Sequence, residues 1–454
     1  MQGGVSPAAV RAGQREGAAE LKFRGRTMKT PIHDFLVKYA ESGTVRAHMP
    51  GGKGIGYPLD ITEINGADVL YESCGIIRES ECNTAGLFGA AETCYSCGGA
   101  TLSIQAMLAA AVSLTGKKTI AAGRYSHKSL INSAVLLGLN VKWIYPDTFL
   151  GADIRPEDVE QTIDGDTAAV FVNSVDYLGG QSDIAAISEV CKKHGVLLLA
   201  DNAHGAYKVF TGDHPLSLGA DMTADSAHKT LPAITGTAYL HLADSAYLSA
   251  AKSAMSLFGS SSPSYLMLDS LDLCAKYIAE ERESALRTIE RVRELKAELI
   301  SAGVPLYPSD DMRITVDAAA MGYTGEQIGQ LIRGKGAECE MCGNRYAVLL
   351  FSVVQPEKDF AVLSEMLRSI PRTGPVEIRE IPVIRPEAAM TAREAYFSAK
   401  KTVSVKEAVG MICAGINSPC PPCVPIVYPG EVISAEAAEA MLYYGVGKIA
   451  CCSL

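Results

Sequence analysis

The chain has 454 residues, 48% of them apolar, which is enough for a large core and roughly two to three domains of ordinary size. A net charge of −10 and a pI near 5.4 argue against nucleic acid or an anionic membrane as the main partner. Apolar runs such as residues 106–114 fall well short of the ~18 residues of a membrane span, and no secretory h-region is legible, so a cytoplasmic location is expected.

Residues 1–27 are rich in Gly, Ala and Arg and lack apolar periodicity. They read as a disordered extension, or as sequence upstream of a true start at Met28; Glu16 and Glu20 spoil a targeting peptide, which is poor in acids. Between residues 98 and 243 helical patterns alternate with short β-rich runs. The spacing predicts helices over 101–114, 130–137, 156–163 and 184–194, and strands over 118–122, 141–145, 168–175 and 195–200, with two more over 221–225 and 237–242. Such alternation means a mostly parallel sheet with helices on both faces, which binds ligands at the carboxyl ends of its strands.

Further on, residues 280–302 form a charged helix with Ile289, Val292, Leu295 and Leu299 on one stripe, expected to bridge to a second domain. Strands over 313–317 and within 337–353, with helices over 325–333 and 359–369, predict a small α/β unit. A proline-rich stretch over 370–386 leads to a last module, in which Pro419-Cys420-Pro421-Pro422-Cys423-Val424-Pro425 has to be an extended turn.

Thirteen cysteines include the pairs Cys94/Cys97, Cys339/Cys342 and Cys420/Cys423 and the vicinal Cys451-Cys452. No two pairs lie within a zinc-ribbon spacing of each other, so thiols of a reducing compartment are expected and no metal.

The chemistry-bearing residues fall at predicted strand ends. His-Lys occurs twice, in Ser126-His127-Lys128-Ser129 and in Ser226-Ala227-His228-Lys229-Thr230. Lys229 lies 28 residues after Asp201, itself at the tip of the apolar run Val196–Ala200. An isolated lysine is usually a solvated one, and an aspartate after a strand is as readily a helix cap or a structural ion pair. Together they suit pyridoxal phosphate: a partly desolvated amine attacks the aldehyde, and a buried carboxylate keeps the pyridine nitrogen protonated so that the ring accepts electrons. Gly99-Ala100-Thr101 opens a predicted helix, where amide groups and the Thr101 hydroxyl suit the phosphate, although a Gly-Gly turn before a helix is common by itself. Ser226 offers a second phosphate contact. His127 at a neighbouring strand end suits stacking on the ring, and His204 and His228 flank the same place as proton carriers, positioners or ordinary structural histidines. Gly52-Lys53-Gly54-Ile55-Gly56 resembles a nucleotide loop only superficially, because no strand precedes it.

These segments resemble the bacterial ornithine/lysine/arginine decarboxylases. Ser226-Ala227-His228-Lys229-Thr230-Leu231-Pro232-Ala233 is similar to their cofactor-lysine motif, and Asp201-Asn202-Ala203-His204-Gly205 to their pyridine-nitrogen motif, Asp-Glu-Ala-His-Gly. Arg124-Tyr125-Ser126-His127-Lys128-Ser129 resembles the segment whose histidine stacks on the ring. His48-Met49-Pro50-Gly51-Gly52-Lys53-Gly54 resembles the amino-terminal signature, and Pro421-Pro422-Cys423-Val424-Pro425 with Pro429-Gly430-Glu431 the carboxy-terminal one. Three residues depart from the signatures: Gly52 stands for His, Asn202 for Glu and Cys423 for Gly. The phosphate turn also reads Gly99-Ala100-Thr101 where longer members have Thr-Ser-Thr. Nothing in the chain matches their wing domain, as in the short-form members.

The resemblance implies an α/β, fold type I (aspartate-aminotransferase-like) large domain over 28–275, a bridging helix and small α/β domain over 276–375, and a C-terminal decarboxylase domain over 376–454. It implies decarboxylation of arginine or lysine, then ornithine, to the amine that feeds polyamine metabolism, in a homodimer or higher homo-oligomer. Lys229, Asp201 and His228 would carry the reaction, with Asp176 or Glu431, the latter from its own or the other subunit, facing the distal cation of the substrate. Another fold type I activity, such as an aminotransferase or β-eliminating lyase, and a non-catalytic cofactor-binding relative are the alternatives.

Overall fold

In the computed structural model, residues 27–53, 56–149, 151, 153–416 and 424–453 are described. The 1–27 extension, apart from its last residue, and Cys420 and Cys423 lie outside them. Seven strands form the main framework: β1 (Glu92–Ser96), β2 (Thr119–Gly123), β3 (Asn140–Ile144), β4 (Thr167–Asn173), β5 (Leu197–Asp201), β6 (Met222–Asp225) and β7 (Ala238–Leu242). The chain divides into two compact units, one of residues up to Leu114 with Leu198–Leu286, the other of Thr115–Leu197 with Arg287–Leu454.

In the first unit the strand order is β1-β7-β6-β5. The β5–β6 pair is parallel, with Leu199 opposite Met222 and Asp201 opposite Ala224, while β7 runs antiparallel to both β6 and β1. The strands are short and apolar because both faces are covered: Leu198, Leu199, Ala200, Met222, Ala224 and Leu240 have no exposed surface. Helices Ile76–Phe88, Gly99–Thr115 and Tyr265–Glu280 belong to this unit. The buried Asp272 on the last of these accepts the backbone N–H groups of Ile32 and His33 at 3.0 Å each, so it caps the start of helix Pro31–Glu41 from outside. Burial pushes the Asp272 carboxyl up to about 6, against the hydrogen bonds from Ser80 and these amides.

In the second unit β4, β2 and β3 lie side by side, all parallel. Helix Ile184–His194 shows how the sequence sets such elements. Asp183 accepts the Ala186 N–H at 3.0 Å as N-cap, Ile184, Ile187 and Cys191 bury one face, and Lys192, Lys193 and His194 complement the dipole at the other end. A smaller antiparallel sheet has the order β10-β11-β9-β8, from β8 (Leu306–Tyr307), β9 (Arg313–Asp317), β10 (Met341–Cys342) and β11 (Tyr346–Leu350). The last module pairs β12 (Lys400–Ser404) with β13 (Lys448–Cys452) around a core that includes Val405, Ile426, Val427, Ile433, Met441 and Ile449. Among the described residues, no helix is long and apolar enough to cross a membrane.

One buried histidine makes the fold acid-sensitive. His241 on β7 faces Thr93 on β1, bonds its Oγ1 through Nδ1 at 2.8 Å and stacks on Phe88 at 4.1 Å. Burial pulls its pKa from 6.5 down to about 3, with the Asp225 charge opposing the shift. Between those two values only the unfolded chain takes up the proton, so stability is intact above 6.5 and is lost as pH falls toward 3. His241→Gln is therefore expected to show a shallower loss of melting temperature across that window than the native protein; equal slopes would contradict this assignment.

Candidate active site

The β5–β6 register delivers two functional segments from adjacent strand ends. Asn202, just past β5, donates its N–H to the Ala224 carbonyl at 3.0 Å, and the turn 202–205 closes with the Gly205 N–H on the Asn202 carbonyl at 2.9 Å. One strand over, Ser226 stands at the N-cap position of the single-turn helix Ala227–Thr230, which carries Lys229. The consequence is direct: Lys229 Nζ lies 2.8 Å from His204 Nε2.

Asp201 is buried, and its Oδ1 accepts the Ala203 N–H at 3.0 Å. Burial raises its pKa above the ordinary value, the Ala203 bond and the Lys229 charge pull it down, and the neighbouring Asp225 charge pushes it up. A carboxylate in this setting favours a cation. His228 is half-buried, with Nδ1 2.8 Å from the Thr237 carbonyl. Only a protonated Nδ1 suits a carbonyl, so the neutral ring keeps its lone pair on Nε2. Thr230 Oγ1 accepts the Tyr207 N–H at 3.2 Å, a further tie between the two segments.

The helix Gly99–Thr115 opens in the same unit. Gly99 has φ +64°, a conformation that favours glycine, and gives its N–H to the Gly236 carbonyl at 2.8 Å. The Gly98 N–H goes to Ser96 Oγ at 3.2 Å. Gly99 thus shapes the turn, and Ala100 and Thr101 supply the amides at a helix start where Thr101 is exposed.

The remaining predicted residues lie in the second unit. His127 caps helix Lys128–Leu137: its Nδ1 accepts the Ser129 N–H at 3.2 Å and contacts Ser129 Oγ at 2.9 Å, which fixes the ring plane. Asp176 organises a turn, its Oδ1 accepting the N–H groups of Leu178 and Gly180 at 2.8 Å each.

Glu431 is committed elsewhere than the sequence suggests. Both its oxygens take the Arg124 guanidinium, at 2.5 and 2.9 Å, and Oε2 also accepts the Tyr428 N–H at 2.8 Å. Arg124 has no exposed surface and lies 4.4 Å over the Tyr428 ring and 4.9 Å over that of Trp143. Within its own chain the Glu431 charge is thus paired with Arg124.

Two features had no sequence signal as a pair. One is Arg124–Glu431, whose members stand 307 residues apart. The other is a buried group at the β6 end: Asp225 Oδ2 accepts from Asn202 Nδ2 at 2.7 Å and from His214 Nε2 at 2.9 Å. His214, Asp225 and His241 are close enough to suggest metal ligands. However, the Leu216 N–H reaches His214 Nδ1 at 3.3 Å, which leaves the proton on Nε2 and makes the contact to Asp225 a hydrogen bond. The eleven described cysteines are free, Cys94 and Cys339 among them.

An amine beside an imidazole, a buried carboxylate raised by its surroundings and a glycine-shaped helix start form a donor set that fits pyridoxal phosphate. Comparison with known proteins agrees. The model for the Orn/Lys/Arg decarboxylase major domain matches residues 30–315, and that for the C-terminal domain matches residues 378–447. The chain belongs to the Orn/Lys/Arg decarboxylase family and is a pyridoxal phosphate-dependent amino-acid decarboxylase. It is 28% identical to the arginine decarboxylase of Bacillus subtilis, over 90% of this chain and 92% of that one. It is 29% identical to the arginine decarboxylase of Halalkalibacterium halodurans, over the same shares. Its fold is similar to that of the Francisella novicida lysine decarboxylase LdcF, with a TM-score of 0.76 and 16% identity over 93% of this chain and 79% of that one. The fold is that of the type I pyridoxal phosphate enzymes.

Removing Arg124 is expected to be costly. Arg124→Met leaves a buried carboxylate uncompensated, a loss of about 3–5 kcal/mol. Arg124→Met/Glu431→Met should recover a large part of it, as read by melting temperature. A double variant no more stable than Arg124→Met would contradict the pairing.

Proposed function

We propose that this protein decarboxylates arginine or lysine, and ornithine less well, releasing the amine and CO2 as a source of polyamine precursors. The observation that carries the reading is the 2.8 Å contact of Lys229 Nζ with His204 Nε2, beside the buried Asp201. The arginine decarboxylase names of the relatives and the lysine decarboxylase name of the structural neighbour favour these substrates.

When bound, pyridoxal phosphate supplies an electron sink for the pair left as the carboxylate departs. Lys229 is the amine that would hold it covalently; His204 Nε2, 2.8 Å from Lys229 Nζ, would orient the nitrogen lone pair through a hydrogen bond. Asp201 holds the pyridine nitrogen in its protonated form, the Ala203 amide keeping Oδ1 in place. Ala100, Thr101 and Ser226 bind the phosphate, with Gly99 setting the turn. By motif resemblance His127 is assigned to stacking, its plane locked by the bonds to Ser129. After CO2 leaves, Lys229 Nζ returns a proton to the substrate Cα, or His228 does so once its Nε2 lone pair has taken one up; the Nδ1 bond to Thr237 holds the ring in place. Asp176 is assigned to the distal cation. The active form is a homodimer at least, by resemblance.

Loaded with pyridoxal phosphate and offered arginine, lysine and ornithine in turn, the protein should release CO2 and the matching amine from one of the first two in preference to ornithine. Absence of CO2 from all three, with the cofactor band present, would refute the substrate class. Lys229→Ala should lose the band and at least about a thousandfold in rate. Asp176→Asn, which keeps Oδ1 as an acceptor for the turn, should raise KM for the basic substrate by about tenfold or more, with little change in kcat.

A further inference from the structure

Asn202 stands where the family signature has glutamate, and the fold gives this departure a reason. The residue has no exposed surface. Its Nδ2 donates to Asp225 Oδ2 at 2.7 Å, and a carboxylate can only accept, so the amide orientation is forced. Asp225 is likewise fully buried and is held by His214 Nε2 on the same oxygen at 2.9 Å. On its other side the Asn202 amide fills the inside of the turn: a Cβ on Gly205 would come within 2.1 Å of Asn202 Oδ1. The side chain therefore pins, through Asp225, the turn whose next amide, that of Ala203, holds Asp201 Oδ1 at 3.0 Å.

A second carboxylate at position 202 would meet Asp225 at hydrogen-bond distance with no water between them. Two like charges at that separation in a dry interior cannot both persist. Position 202 has to be neutral and donating because position 225 is charged and accepting.

We propose that Asn202 and Asp225 are a matched amide–carboxylate pair that positions Asp201 for its pyridinium partner. Asn202 and Asp225 are positioning residues, acting through the backbone turn at 202–205. The proposal rests on the reading of Asp201 as the partner of the pyridine nitrogen.

The test exchanges the two groups at constant size. Asn202→Asp, Asp225→Asn and the double exchange are compared with the native protein at pH 8. The cofactor-free proteins are melted, and pyridoxal phosphate affinity is read by absorbance titration. Asn202→Asp should melt several degrees lower and bind the cofactor at least about tenfold more weakly. The double exchange restores the donor–acceptor match between 202 and 225 but sets an amide NH2 group against His214 Nε2, so it should recover part, not all, of the affinity and melting temperature lost in Asn202→Asp. Asn202→Glu, which restores the signature residue alone, should behave no better than Asn202→Asp.

Native-like affinity in Asn202→Asp, or losses in the double exchange that simply add, would overturn the pairing. Recovery of melting without recovery of cofactor affinity would reduce the pair to a folding role and overturn positioning. If Asn202→Asp fails to fold, the double exchange carries the test: a folded protein that takes up the cofactor supports the pair, and a double exchange that also fails to fold overturns it. A native protein that takes up no pyridoxal phosphate would sink the functional reading, and positioning with it. That failure is recognisable because the cofactor-free melting series still reports whether the two groups are coupled.

Discussion

The parallel register of β5 against β6 is the constraint on which the site depends. With Asp201 opposite Ala224, the turn after one strand and the short helix after the other leave the strands side by side. The Lys229–His204 contact and the Asp201 environment follow from that alignment. A slip of one residue would reverse the facing of every side chain on β5 and send Asp201 to the opposite surface. The apolar strand interiors, with both faces covered, make such a slip costly. The residues that hold the register are thus different from the residues that do the chemistry.

Burial organises the charges as well. Arg124 with Glu431, Asp225 with His214 and Arg313 with Asp310 are paired buried groups at hydrogen-bond distance, and the buried Glu81 is paired with the half-buried Lys252. Asp201 differs from them. Its oxygen meets a backbone amide, the lysine acts on it at longer range, and burial pushes its pKa up where Asp225 is held down by His214 despite its burial. A carboxylate held in this way gains most from a cation that arrives with a ligand, and a pyridinium nitrogen is such a cation. On the proposed reading, the cost of burying Asp201 would be offset when the cofactor binds, which would couple cofactor affinity to the accuracy of the turn after β5.

Much of this was legible in the sequence, for identifiable reasons. Short apolar runs ending in polar residues marked β2, β4 and β5, because a strand covered on both faces has to read that way. Lys229 and Asp201 were visible because each follows such a run, and the glycine turn because it opens a helix with a clear apolar pattern. Strand β1 was missed: Glu92-Thr93-Cys94-Tyr95-Ser96 alternates polar residues that are nevertheless buried, and the Cys94/Cys97 spacing drew attention to sulfur instead. Helices Leu248–Phe258 and Tyr265–Glu280 were missed between the strands and the charged helix. The pairs that tie distant segments together carry no local signal. Nothing local in the sequence shows that Arg124, far away, pairs with Glu431, or that Asn202, a departure from the signature, has Asp225 as its partner.

The central claim is that Lys229, and not the lysine of the other His-Lys pair, carries the cofactor. The direct measurement is to load the native protein with pyridoxal phosphate, fix the attachment by borohydride reduction and map the modified peptide by mass spectrometry. The account predicts one modified lysine, Lys229, in the peptide containing Ser226-Ala227-His228. Modification of Lys128, or of several surface lysines with Lys229 unmodified, would contradict it.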